Sequence, residues 1–364
     1  MTESKRIVAR VQSAIDKFLA EQRTHLTEIS PDLAPFVDYS ASLLSGGKRF
    51  RAQFCYWGYR AVAPGNDDEP EVEGVVAASA SLELFHAAAL VHDDLIDNSD
   101  TRRGKPASHR RFQSLHTETG WTGNAESFGR SSAILLGDLL LGWSDEVLDA
   151  GLGLVRSRDS AIAARREFNR MRTEVTGGQY LDLLEEHSWR SRNDTEQLER
   201  AHRVIVYKSA KYSIEAPLII GATIGGASLT QISALRDFGL PLGVAFQLRD
   251  DLLGVFGDPE QTGKPSGDDL REGKRTVLIG LARRRLTPSA TRLLDELLGD
   301  PDLTDGQVHT LQASLRECGA VADVENLIAH NARKALAALE VASFDAAARA
   351  QLVDLVHIVT RRTV

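Results

Sequence analysis

The longest apolar stretch of the sequence ends in a run of acidic residues, and this combination limits what the chain can fold into. The residues from Glu71 to Asp97 are rich in alanine and leucine and contain no glycine after Gly74, which is typical of an α-helix. Its last turns carry Asp93, Asp94 and Asp97 itself. Carboxylates at the mouth of a hydrophobic core lose hydration and repel one another, so a cation must offset them. A metal ion, nearby arginines or plain solvent are the candidates.

Almost every other periodic segment also has helical spacing. We find no alternating strand pattern longer than a few residues, no internal repeat and no low-complexity tract. Polar loops are predicted at 63–70, 116–130 and 257–274. We therefore expect an all-α protein in which residues 1–364 form a single domain. Further helices are predicted at 131–150, 160–187, 196–212, 232–256, 276–285, 290–298, 306–317, 320–339 and 345–361, the last with Asp345 as N-cap.

Composition excludes several classes of protein. The 364 residues carry a net charge of −8, which argues against nucleic acid as a partner. Cys55 and Cys318 are the only cysteines, so a disulfide framework or a cysteine zinc site is not expected, which fits a reducing cytoplasm. The N-terminus lacks the pattern of a signal peptide. The uncharged stretch 216–235 contains glycines and Pro217, so we predict a core helix there and no transmembrane anchor.

The acidic residues have the spacing of metal ligands. Asp93 and Asp97 lie at i and i+4, on one helix face, and like charges there are mildly destabilising unless a cation bridges them. Alone, such a motif is commonly a solvated helix end. A second pair, Asp250 and Asp251 in "FQLRDDLLGVFGD", ends another apolar helix. Carboxylate ligands without cysteine favour magnesium or manganese, and magnesium usually completes its shell with water and substrate phosphates.

Basic residues lie beside glycine turns or next to the acidic motifs, as expected for phosphate ligands. Each alone is an ordinary surface cation, but together they predict a substrate with several phosphates. "GDPEQTGKP" is not a P-loop, because Pro265 takes the Ser/Thr position and no strand precedes it. A His-Asp phosphohydrolase site at His92–Asp93 leaves the second acidic pair unexplained. The basic set comprises "GGKRFR" (46–51), Arg102, Arg103, Lys208, Lys264 and Lys274.

Six motifs in order resemble those of the trans-isoprenyl (polyprenyl) diphosphate synthases, most closely a bacterial geranylgeranyl diphosphate synthase. The resemblance is strongest over 31–276, with the helices of 277–364 completing the bundle. It implies an antiparallel helix bundle around a deep apolar cavity, usually a homodimer, and a prenyltransferase that transfers alkyl groups other than methyl. The motifs are "GGKRFR", "HDDLIDNSDTRRG", "GGQYLD", "YKSAKY", "FQLRDD" and "GKPSGDDLREGKRT".

The resemblance also implies a role for individual residues. Asp93 and Asp97 should bind two magnesium ions with help from Asp94, and Asp250 a third, supported by Asp251; manganese is a substitute. Lys208 and Lys264 join Asp93, Asp97 and Asp250 as catalytic residues. The residues expected to bind the allylic diphosphate are Arg102, Lys208, Gln247 and Lys264, with Ser209 and Lys274 nearby. Those expected to bind isopentenyl diphosphate are Lys48, Arg51, His86 and Arg103.

The sequence departs from the family pattern at two positions. Ala52 stands where proline commonly closes the "GGKRxRP" motif, which should matter little. Gly254 replaces the last aspartate of the second DDxxD motif. In the family that aspartate is the least directly involved in metal binding, so we expect activity to survive, with the affinity for the third ion in question.

The family reaction joins isopentenyl diphosphate head to tail to dimethylallyl, geranyl or farnesyl diphosphate, and residues before the first motif set the product length. Ala88 and Ala89 are too small to block the growing hydrocarbon chain near the acidic motif, which disfavours a farnesyl product. Phe85, one turn deeper or about 5.4 Å along the axis, either ends the cavity at the length of a C20 product or is ordinary core packing. Geranylgeranyl diphosphate is the expected main product, and a longer all-trans polyprenyl diphosphate is the alternative.

Two other functions use similar motifs. A class I terpene cyclase shares the acidic metal motif but lacks the "GGKRxR" residues for a second diphosphate. A non-catalytic subunit of a heteromeric synthase usually loses motif residues, and this chain keeps nearly all of them.

Overall fold

A computed structural model describes residues 3–65, 70–258 and 266–361, apart from the side chain of Asp194. The described chain is almost entirely helical, as predicted. Its α-helices are α1 (Glu3–Ile29), α2 (Ala34–Leu43), α3 (Phe50–Val62), α4 (Pro70–Ile96), α5 (Ser108–Thr119), α6 (Ala125–Leu152), α7 (Arg158–Ser188), α8 (Gln197–Val204), α9 (Ala216–Ile224), α10 (Leu229–Phe256), α11 (Asp268–Glu272), α12 (Val277–Arg285), α13 (Pro288–Leu297), α14 (Asp305–Glu317), α15 (Ala320–Ala338) and α16 (Ala346–Thr360).

A few elements differ from α-helix. The segment Ile205–Glu215, between α8 and α9, is a π-helix, a wide form of turn that is rare and is often found at functional sites. A short antiparallel hairpin pairs β1 (Thr101–Arg102) with β2 (Lys105–Pro106). Single 3₁₀ turns occur at Pro31–Leu33, Trp189–Ser191 and Asp194–Glu196.

The predicted helix from 345 to 361 is confirmed together with its cap. The Asp345 side chain accepts a hydrogen bond from the Ala348 backbone N–H at 2.9 Å, and the helix begins at Ala346. This bond satisfies one of the backbone donors that the first turn of any helix leaves without an intrahelical partner.

The prediction of a polar loop at 116–130 is wrong. Helix α5 continues to Thr119 and α6 begins at Ala125, so the connection is only 120–124. Gly120 ends α5 with a positive φ of 70°. The Asn124 side chain accepts a hydrogen bond from the Ser127 backbone N–H at 2.7 Å and caps α6. The polar composition of this stretch comes from two helix caps placed close together.

The uncharged stretch 216–235 is not one helix either. Helix α9 ends at Ile224, Gly226 has a φ of 77°, and Ser228 starts α10 with a capping box to Gln231. Within the part of the chain that the structure describes, the helix that is long and apolar enough to cross a membrane is α4. Because most of its apolar stretch is buried in the fold, α4 has the character of a core helix.

The described chain divides into two compact units. The first unit comprises 1–165 and 220–227, and the second comprises 166–219 and 228–364. In the first unit, α4 packs against α1, α3, α5 and α6. It approaches α6 at two glycines, since a Cβ on Gly74 would lie 2.8 Å from the Gly151 carbonyl oxygen. The prediction of a single domain over 1–364 stays a prediction.

In the second unit, α10 is the central helix. It packs against the π-helix and against α11, α12, α15 and α16. Its fully buried Leu252 belongs to a hydrophobic cluster that also takes Leu278 from α12 and Leu311 from α14. The C-terminal helices therefore complete the core around α10.

Helix α7 approaches the π-helix so closely that position 178 has room only for glycine. A Cβ on Gly178 would lie 2.3 Å from the backbone nitrogen of Lys208 and 2.4 Å from the carbonyl carbon of Tyr207. A Cβ on the neighbouring Gly177 would meet no atom within 4 Å. The two glycines of the "GGQYLD" motif therefore have different roles.

This difference predicts opposite effects on stability. Gly178→Ala should lower the free energy of unfolding by about 1–3 kcal/mol, because α7 and the π-helix must separate. Gly177→Ala should be neutral or raise it by up to about 1 kcal/mol, because alanine favours an exposed helical position. Urea unfolding of both variants beside the wild type measures the two effects. Equal stability of the two variants would contradict the close approach.

Candidate active site

The first acidic motif lies at the C-terminal end of α4. The Asp97 backbone N–H donates to the Asp93 carbonyl at 2.8 Å, so helical spacing continues one residue beyond Ile96. Asp94 is 1% exposed, whereas Asp93 and Asp97 are half-buried. The local backbone thus preserves the i, i+4 relation of Asp93 and Asp97 that the sequence predicted.

The hairpin that follows brings Arg102 back onto this motif. Arg103 and Gly104, between the two strands, have φ values of 53° and 70°, the left-handed conformation that tight hairpin turns require. The Arg102 Nε donates to the Asp94 Oδ1 at 2.8 Å, and its Nη2 donates to the Asp93 Oδ2 at 3.3 Å. An arginine therefore offsets part of the charge that the acidic motif buries.

A second group of polar residues in the first unit centres on His86. Burial, reinforced by the positive charges of Arg51, Arg103, Arg102 and Arg49, lowers the pKa of His86 well below its ordinary value. The imidazole is therefore neutral at pH 7 and presents one N–H donor. Three of the four residues predicted to bind isopentenyl diphosphate, namely Arg51, His86 and Arg103, thus lie in one electropositive group.

Lys48, the fourth residue of that predicted set, lies on the surface. It is exposed, and its Nζ lies 5.9 Å from the centre of the Phe50 ring. The glycines before it, Gly46 and Gly47, have positive φ values of 71° and 83°. A Cβ on Gly47 would lie 3.9 Å from the Arg103 Nη1, so this loop passes close to the arginine.

Sequence reasoning missed a buried ion pair beneath this group. The Arg49 Nη1 lies 3.2 Å from the Glu83 Oε2, and both side chains are less than a tenth exposed. The other oxygen of Glu83 accepts from the Ala52 backbone N–H at 3.3 Å, which ties α4 to the start of α3. The signal in the sequence was Glu83 itself, a single acid inside the apolar run of α4.

The second acidic motif, in the second unit, is crowded with carboxylates. Asp250 is half-buried and Asp251 is 6% exposed. Burial raises the pKa of Asp251 to about 8; the hydrogen bond from Gln247 at 2.7 Å opposes the shift, and Asp269, Asp250 and Asp182 add to it. The raised pKa favours the protonated form of Asp251, and a cation bound there would favour the carboxylate instead.

Lysines lie beside this acidic group. The Lys208 Nζ contacts the Asp182 Oδ2 at 2.5 Å, which joins the π-helix to the "GGQYLD" motif of α7. Ser209 follows Lys208 on the π-helix and is half-buried. The Lys274 Nζ lies 2.7 Å from the Glu272 Oε2 and 3.9 Å from the Asp269 Oδ1. Lys264, also predicted as a phosphate ligand and a catalytic residue, lies outside the described residues.

The donor atoms fit magnesium better than zinc. Among the described residues, no three His, Cys, Asp or Glu side chains are placed to hold a metal ion by themselves. Each acidic motif offers carboxylate oxygens, and magnesium is commonly bound by one or two carboxylates together with water and substrate phosphates. Burial first, and the neighbouring carboxylates second, raise the pKa of Asp251, and a divalent cation there would offset both effects.

The predicted chain-length residues lie on α4 before the acidic motif. Phe85 is 4% exposed and Ala88 is fully buried, whereas Ala89 is half-buried. Ala89 and Ala88 place small side chains four and five residues before Asp93. Their role in product length stays a prediction.

Comparison with known proteins places this arrangement in a family. The family model described as polyprenyl synthetase matches residues 33–315. The fold matches geranylgeranyl pyrophosphate synthase from Corynebacterium glutamicum, solved with isoprenyl diphosphate and magnesium, with a TM-score of 0.92, 39% identity and 100% of both chains covered. Geranylgeranyl pyrophosphate synthase 3 of Arabidopsis thaliana is 32% identical, over 71% of this chain and 68% of its own. Octaprenyl diphosphate synthase of Escherichia coli is 29% identical, over 87% and 86%.

The family model covers most of the chain, and the structural match extends over its whole length. The predicted all-α isoprenoid-synthase fold is confirmed. The protein belongs to the polyprenyl synthetase family and is a prenyltransferase of isoprenoid biosynthesis.

Proposed function

We propose that this enzyme condenses isopentenyl diphosphate with an allylic diphosphate, releases diphosphate and makes geranylgeranyl diphosphate as its main product. The observation that carries this proposal is the pair of polar groups in the first unit. One is the acidic motif held by Arg102, and the other is the electropositive group of Arg51, His86 and Arg103. A class I terpene cyclase handles one diphosphate and would have no use for the second group.

The proposed metal ligands are Asp93 and Asp97 for two magnesium ions and Asp250 for a third, with Asp94 and Asp251 in support and manganese as a substitute. The matched Corynebacterium enzyme was solved with magnesium, which supports this choice of metal. When bound, magnesium neutralises the leaving diphosphate and so lowers the barrier to cleavage of the allylic C–O bond.

The residues around the acidic motifs then position the allylic diphosphate. Arg102 is already oriented by Asp93 and Asp94, so little side-chain entropy is lost when it meets a phosphate. Lys208, held at 2.5 Å by Asp182, supplies a second fixed positive charge. We propose that Gln247, Ser209, Lys264 and Lys274 contribute the remaining donors.

The electropositive group of the first unit is the proposed site for isopentenyl diphosphate. Arg51 and Arg103 offer guanidinium donors, and Lys48 supplies a mobile positive charge from the neighbouring loop. The neutral His86 donates a hydrogen bond without adding to the repulsion among the arginines. The apolar wall of α4 excludes water, which would otherwise trap the allylic cation.

The proposed C20 product rests on α4 and on the relatives. Ala88 and Ala89 leave room for a tail beyond C15, and Phe85 is the first bulky side chain on the next turn. The Corynebacterium structure described above is that of a geranylgeranyl pyrophosphate synthase. A longer all-trans product is the alternative, because the chain also resembles an octaprenyl diphosphate synthase.

We also propose a cytoplasmic homodimer. Ile134 and Leu135 are 49% and 59% exposed side by side on α6, an apolar surface that a second copy would cover. Cys55 and Cys318 are both free of disulfides, which fits a reducing compartment. Burial raises the pKa of the Cys55 thiol to about 12, so this cysteine is unreactive.

The reaction itself is tested by incubating the enzyme with labelled isopentenyl diphosphate, magnesium and each of dimethylallyl, geranyl and farnesyl diphosphate. Asp97→Asn should lower turnover by about 100-fold or more while the protein stays folded, because the amide keeps the shape and loses the charge. Asp100→Asn is the matched control, since Asp100 is two-thirds exposed and pairs with Arg110. Wild-type turnover in Asp97→Asn would remove this residue from the metal ligands.

Product length is tested at positions 85 and 89. Ala89→Phe should shorten the product to C15 or less, and the half-buried site can accept the ring better than the fully buried Ala88. Phe85→Ala should lengthen the product beyond C20, at a stability cost of about 3–5 kcal/mol. Phe54→Ala, which empties a buried site on α3, controls for that loss. If folded Phe85→Ala makes the wild-type product, Phe85 is only core packing.

The dimer is tested at its proposed apolar surface. Leu135→Glu should convert a dimer to a monomer, because a carboxylate would be buried without a partner at the interface. Ile29→Glu is the control, since Ile29 is 65% exposed at the end of α1. Light scattering coupled to gel filtration measures both masses. A Leu135→Glu protein that remains dimeric would exclude this surface of α6.

A further inference from the structure

An arginine-rich cleft of about 520 Å³ lies in the second unit, where the turn that follows α7 and residues of α12 and α13 line it. That volume is in the range of small-molecule sites. The acids in its lining are Asp295 and Glu296, so arginine outnumbers acid two to one. The lining residues are different from those proposed to bind metal or substrate. The arginines that line the cleft are Arg190, Arg192, Arg283 and Arg292.

Trp189, at the start of the turn, gathers three guanidinium groups around its indole ring. The Cζ of Arg275 lies 3.5 Å from the ring centre, and those of Arg283 and Arg190 lie 5.1 and 5.3 Å from it. All three distances are within the range of a cation–π interaction. The indole orders these arginines but carries no charge that could neutralise them. In a chain with a net charge of −8, the result is a local concentration of positive charge.

Asp295 on α13 bridges two of these arginines. Its Oδ1 lies 3.0 Å from the Arg275 Nη1, and its Oδ2 lies 3.2 Å from the Arg283 Nη2. Burial lowers the pKa of Arg275 to about 10, and the bond with Asp295 opposes that shift. The positive charges of Arg283 and Arg190 lower the pKa of Arg275 further. The guanidinium groups therefore repel one another, and an anion bound among them would relieve that repulsion.

A buried ion pair fixes the turn that carries Trp189. Arg200 on α8 and Glu185 on α7 are each less than a tenth exposed, and the Arg200 Nε lies 2.9 Å from the Glu185 Oε2. The Arg200 Nη1 also donates to the Asn193 carbonyl at 3.0 Å. Glu185 contacts Arg192 of the cleft as well, at 3.5 Å. The fold thus sets the position of the turn in advance, which lowers the entropy lost when a ligand binds.

The lining chemistry indicates which ligand the cleft would take. Arginine binds phosphate through paired N–H donors, and here arginines come from the turn, from α12 and from α13. Every lining residue except Trp189 is polar or charged, so a hydrocarbon tail would gain little there. We propose that this cleft is an additional phosphate-binding site, separate from the active site, for a small hydrophilic anion with two or more phosphate groups.

The test measures binding of radiolabelled inorganic diphosphate by equilibrium dialysis. Magnesium is removed with a chelator, so that metal-dependent binding at the acidic motifs is suppressed. The wild type is compared with the double variant Arg190→Gln/Arg292→Gln, and both of these arginines are exposed, so glutamine should leave the fold intact. Arg284→Gln is the matched control, because this exposed arginine lies on α12 beside Arg283 and does not line the cleft.

The double variant should raise the diphosphate concentration for half-saturation of the cleft by about tenfold or more, because hydrogen bonds from charged donors are lost. Arg284→Gln should bind as the wild type does. Geranyl diphosphate should bind at the cleft no more tightly than inorganic diphosphate, since the lining offers its tail no apolar wall.

Fluorescence locates the bound anion. Diphosphate should change the emission of Trp189 over the same concentration range, because it draws on the arginines around the indole. Trp189→Phe should lose that change while the other tryptophans remain, namely Trp57, Trp121 and Trp143.

Three results would overturn the proposal. The first is equal affinity and equal stoichiometry of diphosphate binding in the wild type and the double variant. The second is a fluorescence change that Trp189→Phe keeps in full, because the anion would then bind elsewhere. The third is geranyl diphosphate that binds much more tightly than inorganic diphosphate and loses this affinity in the double variant, because the site would then select a prenyl chain.

Discussion

Burying carboxylates at the ends of two apolar helices is the constraint on which the rest of this structure depends. Asp94 on α4 and Asp251 on α10 are each less than a tenth exposed. In the first unit, a hairpin with two left-handed residues brings Arg102 onto Asp94. In the second unit, burial raises the pKa of Asp251 to about 8, which reflects the cost of removing this carboxylate from water. At both motifs a divalent cation bound to the carboxylates would offset their loss of hydration and their mutual repulsion, which is the physical basis of the metal proposal.

Glycines in the motifs matter for the room that their missing side chains leave as much as for their backbone flexibility. Gly178 is helical, and its value is that the backbone of Lys208 can lie against it. Gly254 is also helical, and it leaves room for the carboxylate of Asp269. In both cases the missing side chain sets the position of a charged residue on a neighbouring element. A sequence motif records such a glycine but does not reveal which residue takes the space.

The sequence predicted the helices well, because apolar spacing and caps are local properties. The Asp345 cap and the long helices α4, α6 and α10 follow directly from it. The prediction of a loop at 116–130 is wrong because polar residues also cap helices, as Asn124 does there, and so do not by themselves indicate irregular structure. The site residues were named through family motifs. The pair of Arg49 with Glu83 and the contact of Gly254 with Asp269 join residues far apart in sequence, so no local pattern could predict them.

The electropositive group around His86 is where the proposed function places an anionic substrate. Arg49 is paired with Glu83, and Arg102 with Asp93 and Asp94, so part of the arginine charge is already balanced. Burial and the surrounding arginines keep His86 neutral, which limits the repulsion among the positive charges of this group. The proposed diphosphate would raise the pKa of His86 toward its ordinary value. Because that ordinary value lies below 7, the imidazole stays mostly neutral at pH 7 and offers the diphosphate one N–H donor.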